Sequence, residues 1–402
     1  MFKLPFTIMV KPIGSACNMA CKYCYYLGND LSKRQPMSYE TLELVIKEYF
    51  AADDSDTYSF IWHGGEPTLR GLEFFKKAVE LQKKYLPEGK NCWNNLQTNG
   101  LSLNEEWCAF LKKESFDVGL SIDGTKLIHD TYRKDASGKD TYDRIKENIQ
   151  LLKRYGIRPD LLCTVNRMTC EDPYGVYHSL KDLDTGWLQF IPIVNFRQDG
   201  TLDEDSVDVK AYGDFLHSIF HQWFYHDTNR LGIQLFMEML LAYSGKRQTL
   251  CWLQEECGNV PVIESDGRVY SCDHFVNGTN RIGDLHEMSL SQIMAKQEAF
   301  SKRKSSLSEK CASCPFLFLC HDGCIKDRDE TGNNVLCDAY LPLFEKTKEV
   351  MEKTILLMRQ GKSFPQAAAV LKTERDLLWE DIKGNALCPC GSGRKYKHCC
   401  RN

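Results

Sequence analysis

From Thr7 to about residue 225, short apolar runs alternate with stretches in which apolar residues recur every three or four positions. The runs have the pattern of strands and the stretches that of amphipathic helices, and their alternation is the βα rhythm of a parallel sheet. Strands are predicted at about 7–13, 57–63, 93–98, 117–122, 160–166 and 187–193. Ser38 can cap a helix in which Leu42, Val45, Ile46 and Tyr49 share one face. Further helices are predicted from Leu72 to Tyr85, Glu105 to Lys113, Tyr142 to Tyr155, Pro173 to Leu183 and Lys210 to Tyr225. This succession suits an α/β fold built on an incomplete (β/α)6 barrel, open on one side. In βα barrels the working residues stand at the C-terminal ends of strands and on the loops that follow.

The segment Arg197 to Asp208 is polar and reads as an exposed loop after the sixth strand. Beyond about Gly245 the texture changes to short strands, a glycine turn at Asp266-Gly267 and clustered cysteines, as in a small metal-stapled domain. Helices are then predicted from Tyr340 to Arg359 and from Glu374 to Ile382.

Charge excludes some classes of partner. The 51 basic and 55 acidic residues leave a net −4, so neither nucleic acid nor an anionic membrane surface is expected to bind. No apolar run approaches the roughly 18 residues needed to span a bilayer, and the N-terminus lacks a secretory signal pattern, so a cytoplasmic location is expected. In that compartment the 19 cysteines are not expected to form disulfides. Fifteen of them cluster at 17–24, 251–272, 311–337 and 388–400, which is a metalloprotein distribution. Cys92, Cys108, Cys163 and Cys170 stand apart and read as small buried hydrophobes.

The first cluster, Cys17-x3-Cys21-x2-Cys24, follows the first predicted strand. Three thiolates can hold three irons of a [4Fe–4S] cube and leave the fourth open, unlike clusters that only carry electrons. On spacing alone a zinc knuckle uses the same residues. The run, with Tyr23 and Tyr25 around its last cysteine, resembles the radical S-adenosylmethionine (SAM) enzymes. The resemblance extends to Gly64-Gly65-Glu66-Pro67 after the second strand, whose counterpart in that family binds the methionine amino group of SAM. Asn99, Ser121, Asp123 and Arg133, at or beyond the ends of the third and fourth strands, can meet the ribose and carboxylate of SAM, or cap loops. Leu188 on the sixth strand can pack on adenine or in the core.

In the second half, Cys251, Cys257 and Cys272 are followed by Cys311, Cys314, Cys320, Cys324 and Cys337. Eight cysteines suffice for two fully ligated [4Fe–4S] clusters; structural zinc is the other use of such a block. The arrangement resembles the SPASM domain of peptide-modifying radical SAM enzymes. By that resemblance Cys251, Cys257, Cys272 and Cys324 hold one auxiliary cluster, and Cys311, Cys314, Cys320 and Cys337 the other. Within this group the chain is similar to anaerobic sulfatase-maturating enzymes, through Met9-Val10-Lys11-Pro12, Trp62 to Pro67, Leu96 to Gly100, Val118 to Gly124, Leu188-Gln-Phe190 and Asp266 to Asp273. Those enzymes oxidise a Cys or Ser of a sulfatase to Cα-formylglycine. The resemblance implies that a 5′-deoxyadenosyl radical abstracts hydrogen from the substrate Cβ, that Asp273 takes the proton from the thiol or hydroxyl, and that the auxiliary clusters accept the second electron. It also implies that Tyr26 contacts the peptide, and that a donor such as flavodoxin or ferredoxin supplies electrons.

The tail Cys388-x-Cys390-x8-Cys399-Cys400, with its Gly-Ser-Gly turn, resembles the SEC-C zinc motif. All four cysteines are expected to bind zinc, with His398 the alternative for the last place, and docking of a protein partner is the role the resemblance suggests. The expected organisation is a radical SAM barrel over 1–235, a SPASM domain over 236–345, a helical segment over 346–383 and the zinc motif over 384–402. The expected cofactors are SAM, three [4Fe–4S] clusters and zinc. Two other readings use the same residues: a maturase forming thioether or carbon–carbon crosslinks in a small peptide, and a metal-binding adaptor without catalysis. Maturases of the first kind often carry an extra peptide-recognition domain, and none fits before Thr7.

Overall fold

The computed structural model describes residues 6–26, 35–390 and 393–401. The chain forms two compact units: Met1–Ile122, His129–Leu161 and Glu256–Ser306 make the first, and Asp123–Ile128, Leu162–Glu255 and Leu307–Asn402 the second.

In the first unit β1 (Ile8–Val10), β2 (Thr57–Trp62), β3 (Asn91–Thr98) and β4 (Asp117–Ser121) lie side by side and parallel. The alternation predicted from the sequence therefore stands, with β1 shorter than expected. The helices between them are α1 (Tyr39–Ala52), α2 (Leu72–Tyr85) and α3 (Glu105–Lys113). Ser38 caps α1 by accepting from Thr41 N at 3.1 Å, and Asn104 caps α3 by accepting from Trp107 N at 2.9 Å. Each such cap is worth about 1 kcal/mol. On its other edge β1 pairs in parallel with β8 (Val262–Ile263), which continues antiparallel into β9 (Arg268–Tyr270) and β10 (Arg281–Asp284). The cysteine-rich half thus contributes strands to the same sheet as the N-terminal repeats. Two-residue β8 is too short to announce itself by periodicity.

In the second unit β5 (Asp160–Val165), most of which belongs here, β6 (Trp187–Pro192) and β7 (Gly232–Ile233) are adjacent in that order. The long α8 (Val209–His226) buries Tyr212, Phe215, Leu216, Ile219, Phe220, Trp223 and Phe224. Each large apolar side chain so buried contributes about 1.5–3 kcal/mol. Packed against α8 are α13 (Cys337–Arg359) and α14 (Phe364–Leu378). Helix α14 begins ten residues before its predicted start, because Ser363 and Gln366 form a reciprocal capping box and Pro365 occupies the first turn. None of the described helices is long and apolar enough to cross a membrane.

Candidate active site and metal centres

The loop carrying Cys17, Cys21 and Cys24 follows β1, at the C-terminal end of a parallel strand, as expected. Two straps hold it. Ala20 N and Lys22 N donate to the carbonyls of Lys134 and Tyr132, and Ala136 N donates to Asn18 O. From the other side, Gly65 N donates to Gly14 O at 2.7 Å and Glu66 N to Ala16 O at 2.8 Å. This approach requires glycine. A Cβ on Gly65 would lie 2.0 Å from the Ala16 carbonyl oxygen, and Gly64 has φ +120° with its would-be Cβ 2.9 Å from Gly14 O. The two glycines of the Gly-Gly-Glu-Pro turn therefore seat the cysteine loop itself, a role the sequence alone does not reveal.

Glu66 is fully buried, and its carboxylate accepts from Thr68 N (3.1 Å), Thr68 Oγ1 (2.5 Å), Thr98 Oγ1 (2.8 Å) and Asn99 N (2.7 Å). Burial raises its pKa, and the hydrogen bonds from Thr68, Asn99 and Thr98 oppose that rise. The residue thus ties the ends of β2 and β3 together. Asn99 extends the connection to the cysteines: its Nδ2 donates to Asn18 Oδ1 at 2.8 Å and points at Cys17 Sγ at 3.6 Å. Met19 N also donates to Cys17 Sγ, at 3.3 Å. N–H groups aimed at sulfur suit an iron-bound thiolate, whose potential such bonds help to set. Burial pushes the Cys17 thiol up to about 11, so metal loading must displace its proton.

The other predicted SAM contacts are placed as follows. In the first unit, Ser121 Oγ accepts from Gln97 Nε2 at 3.3 Å, and the Arg133 guanidinium lies over the Tyr23 ring at 5.4 Å. In the second, Asp123 is buried and accepts from Thr164 N at 2.9 Å, and Leu188 is buried on β6.

Asp273, one residue after Cys272, pairs with Lys11 and accepts the Tyr25 hydroxyl. Lys11, at the end of β1, is wholly buried, while the Asp273 side chain keeps 17 % of its surface exposed. The Lys11 ammonium also lies 3.7 Å from the centre of the Tyr26 ring. Burial would raise the Asp273 pKa, but Lys11 foremost, with His63 and His274, holds the carboxyl well below the usual carboxylate range. Tyr26, predicted at the peptide, is 3 % exposed and donates its hydroxyl to Glu264. Tyr25 is 46 % exposed. Sequence reasoning missed the roles of Lys11 and Tyr25, although both stand in stretches it singled out; their distance in sequence from Asp273 hid the pairing.

Of the cysteines expected at the auxiliary clusters, Cys257 and Cys272 belong to the first unit and Cys251 and Cys324 to the second. Cys311, Cys314, Cys320 and Cys337, all in the second unit, line one cavity of about 270 Å³. Cys337 is the first residue of α13; burial raises the pKa of its thiol, and Lys310 beside it opposes that rise. Between Cys320 and Cys324 the chain turns through three successive left-handed residues, His321 (φ 42°), Asp322 (φ 62°) and Gly323 (φ 61°). Two of these are not glycine, and such strain concentrates at functional sites. The carboxylate of Asp322 accepts from Cys311 Sγ at 3.1 Å and pairs with Arg328 at 3.2 Å.

In the tail, the thiols of Cys388, Cys390, Cys399 and Cys400 are buried, and their sulfurs lie within 4.8 Å of one another. Among the described residues this is the one cluster so compact. Four sulfurs held at about 2.3 Å from a tetrahedral zinc stand roughly 3.8 Å apart; Cys390–Cys399 and Cys399–Cys400 are separated by 3.5 and 3.6 Å. The donor set therefore fits zinc. Gly391 and Ser392 of the predicted turn lie outside the described residues.

Comparison with known proteins bears on the N-terminal repeats, the cysteine-rich segment and the tail. Residues 12–170 match the radical SAM superfamily, 251–315 an iron–sulfur cluster-binding domain (SPASM), and 385–402 the SEC-C motif. A serine-type anaerobic sulfatase-maturating enzyme of Bacteroides thetaiotaomicron is 38 % identical over 379 residues, covering 87 % of this chain and 91 % of that protein. A cysteine-type anaerobic sulfatase-maturating enzyme of Clostridium novyi is 34 % identical, covering 85 % and 94 %. The solved structure of native anSMEcpe with bound AdoMet and Cp18Cys peptide is 33 % identical with a TM-score of 0.81, over 88 % of this chain and 99 % of that one.

Proposed function

This chain belongs to the anaerobic sulfatase-maturating enzymes of the radical SAM superfamily, and we propose that it oxidises the Cβ of a Cys or Ser in a sulfatase polypeptide to the aldehyde of Cα-formylglycine. The observation that carries the reading is the Lys11–Asp273–Tyr25 arrangement one residue from a cluster cysteine, which offers a carboxylate held ionised and still partly exposed. In this reading Cys17, Cys21 and Cys24 hold the SAM-binding cluster. Cys251, Cys257, Cys272 and Cys324 hold one auxiliary cluster, Cys311, Cys314, Cys320 and Cys337 the other, and the four tail cysteines hold zinc. When bound, SAM and the clusters supply the one-electron chemistry, removal of a hydrogen atom from Cβ and acceptance of the second electron.

The chain's own residues do the rest. Asp273 takes the proton of the substrate thiol or hydroxyl; serine then yields the aldehyde directly, whereas cysteine yields a thioaldehyde that water hydrolyses to the aldehyde with release of hydrogen sulfide. Lys11 keeps Asp273 ionised before that transfer, and Tyr25 orients the carboxylate through its hydroxyl. Glu66 and Asn99 hold the glycine turn and the cysteine loop in register.

Because the base works as the carboxylate, the rate falls as pH drops through its pKa. With that pKa held far down by Lys11, wild-type enzyme is expected to show no acid limb near neutrality. Lys11→Met removes the largest stabilising charge, so the acid limb moves to higher pH. Initial rates of peptide oxidation against pH in the two proteins check this; superimposable profiles count against the role of Lys11.

The function itself is tested by anaerobic incubation with SAM, reductant and two peptides carrying [C/S]-x-P-x-R, one with Cys and one with Ser, read by mass spectrometry. A mass change matching formylglycine is the expected result, and the peptide that reacts names the accepted residue. Accumulation of 5′-deoxyadenosine with both peptides unmodified would move the substrate to another peptide class.

A further inference from the structure

The tail closes on itself through a bridge between Leu387 and Lys395, in which Cys388 N donates to Arg394 O at 2.7 Å and Tyr396 N to Ala386 O at 2.8 Å. Its four thiols pack with Tyr396 into a small core against which Trp379 and Ile382 rest. Two consecutive side chains of α8 reach the same sulfurs. His221 Nδ1 lies 3.2 Å from Cys400 Sγ, and Gln222 Nε2 lies 3.3 Å from Cys399 Sγ. Both side chains are more than nine-tenths buried, with 8 % and 7 % exposure. The His221 ring is stacked parallel to Trp379 at 5.6 Å, which fixes its plane. A second fastening joins the tail to α7 (Pro173–Lys181), where the Arg394 guanidinium lies 3.4 Å from the centre of the Tyr174 ring.

We propose that His221 and Gln222 are the hydrogen-bond donors that fasten the tail's metal centre to α8, making the tail an internal clasp whose grip depends on its metal. The inference rests on the zinc reading of the four cysteines. A metal-bound thiolate has lone pairs and no proton, so the nitrogen facing it must donate; this places the His221 proton on Nδ1 and turns the Gln222 amide nitrogen toward Cys399. Four thiolates around one zinc leave a net negative centre in a buried place, which costs free energy unless N–H donors face it. Partners of this kind orient the ligands and hold the metal, and their loss typically weakens metal affinity about 10–100-fold. Without metal the cysteines are thiols, which accept only weakly, and both α8 donors lose the acceptors that the clasp provides.

The test uses the whole enzyme purified anaerobically with its clusters. X-ray absorption at the zinc edge, which iron does not obscure, is expected to show four sulfurs at about 2.3 Å and no nitrogen. His221→Phe, which keeps an aromatic ring beside Trp379, and Gln222→Leu are each expected to weaken zinc retention against a competing chelator about 10–100-fold, measured by elemental mass spectrometry. SAM cleavage is expected to stay unchanged. Chelation of the wild type is expected to raise hydrogen exchange in the α8 amides, as His221→Phe does without chelator. A nitrogen in the first shell of wild-type zinc would put His221 or His398 in place of the fourth thiolate and overturn the proposal. Wild-type zinc retention in both variants would overturn it as well. A distinct failure, in which the protein carries no zinc or Cys388→Ser and Cys390→Ser leave its zinc content unaltered, would sink the zinc reading and the clasp with it.

Discussion

Asp273→Asn is expected to abolish formylglycine formation, with a loss of at least about 10²-fold, while 5′-deoxyadenosine production from SAM continues. Asparagine keeps the shape of the side chain and can still meet the Tyr25 hydroxyl, but it cannot take a proton at neutral pH. The variant also leaves the buried Lys11 ammonium without its carboxylate, and stranding a buried charge typically costs about 3–5 kcal/mol. Some loss of activity could therefore come from loss of fold. The double variant Lys11→Met/Asp273→Asn separates the two: removing the stranded charge is expected to restore thermal stability and cluster content, and to leave oxidation absent. Mass spectrometry of the peptide together with chromatography of 5′-deoxyadenosine reads both quantities from one reaction. Full turnover by Asp273→Asn would remove this residue from the mechanism.

Gly65→Ala is expected to be nearly as damaging, for a different reason. The added methyl would stand 2.0 Å from the backbone oxygen of Ala16, where no side-chain movement can relieve the overlap. Either the turn or the cysteine loop must move, and the hydrogen bonds of Gly65 N and Glu66 N to that loop go with it. The expected outcome is loss of the SAM-binding cluster: iron content falls by about four per chain and SAM cleavage is lost. The auxiliary clusters should remain visible by electron paramagnetic resonance. An alanine variant with full iron content and normal SAM cleavage would show that the loop accommodates the methyl.

The contrast between these residues shows what the sequence can reveal. Strands β2, β4, β5 and β6 and helices α2 and α3 lie within a residue of their expected bounds, because each is long enough to display its period and is bounded by caps or turns. The cysteine groups were legible because their spacing is local. The pairing of Lys11 with Asp273 was not, since the two are far apart in the chain and are brought together only when β1 acquires β8 as a neighbour. The same is true of Tyr26 and Glu264. The Gly-Gly-Glu-Pro turn is legible in the sequence as a SAM-binding segment through its family resemblance, but the backbone its glycines approach, Gly14 to Ala16, is found only in three dimensions. The start of α14 lies ahead of its apolar period because the Ser363–Gln366 capping box, rather than periodicity, sets it.

The position of β1 also has a consequence for synthesis of the chain. Its three residues sit between β2, made some fifty residues later, and β8, whose Val262 emerges only when most of the protein has been translated. At about 5–20 residues per second, one edge of β1 waits on the order of 10–50 s on the ribosome for its partner. During that interval the strand leading into the first cysteine loop is an open edge, able to pair with another nascent chain. A chain ended near residue 250 would carry that edge permanently, and aggregation during expression is its expected fate. The first cysteine loop is thus anchored last on one side, which sets the earliest moment at which its surroundings are complete.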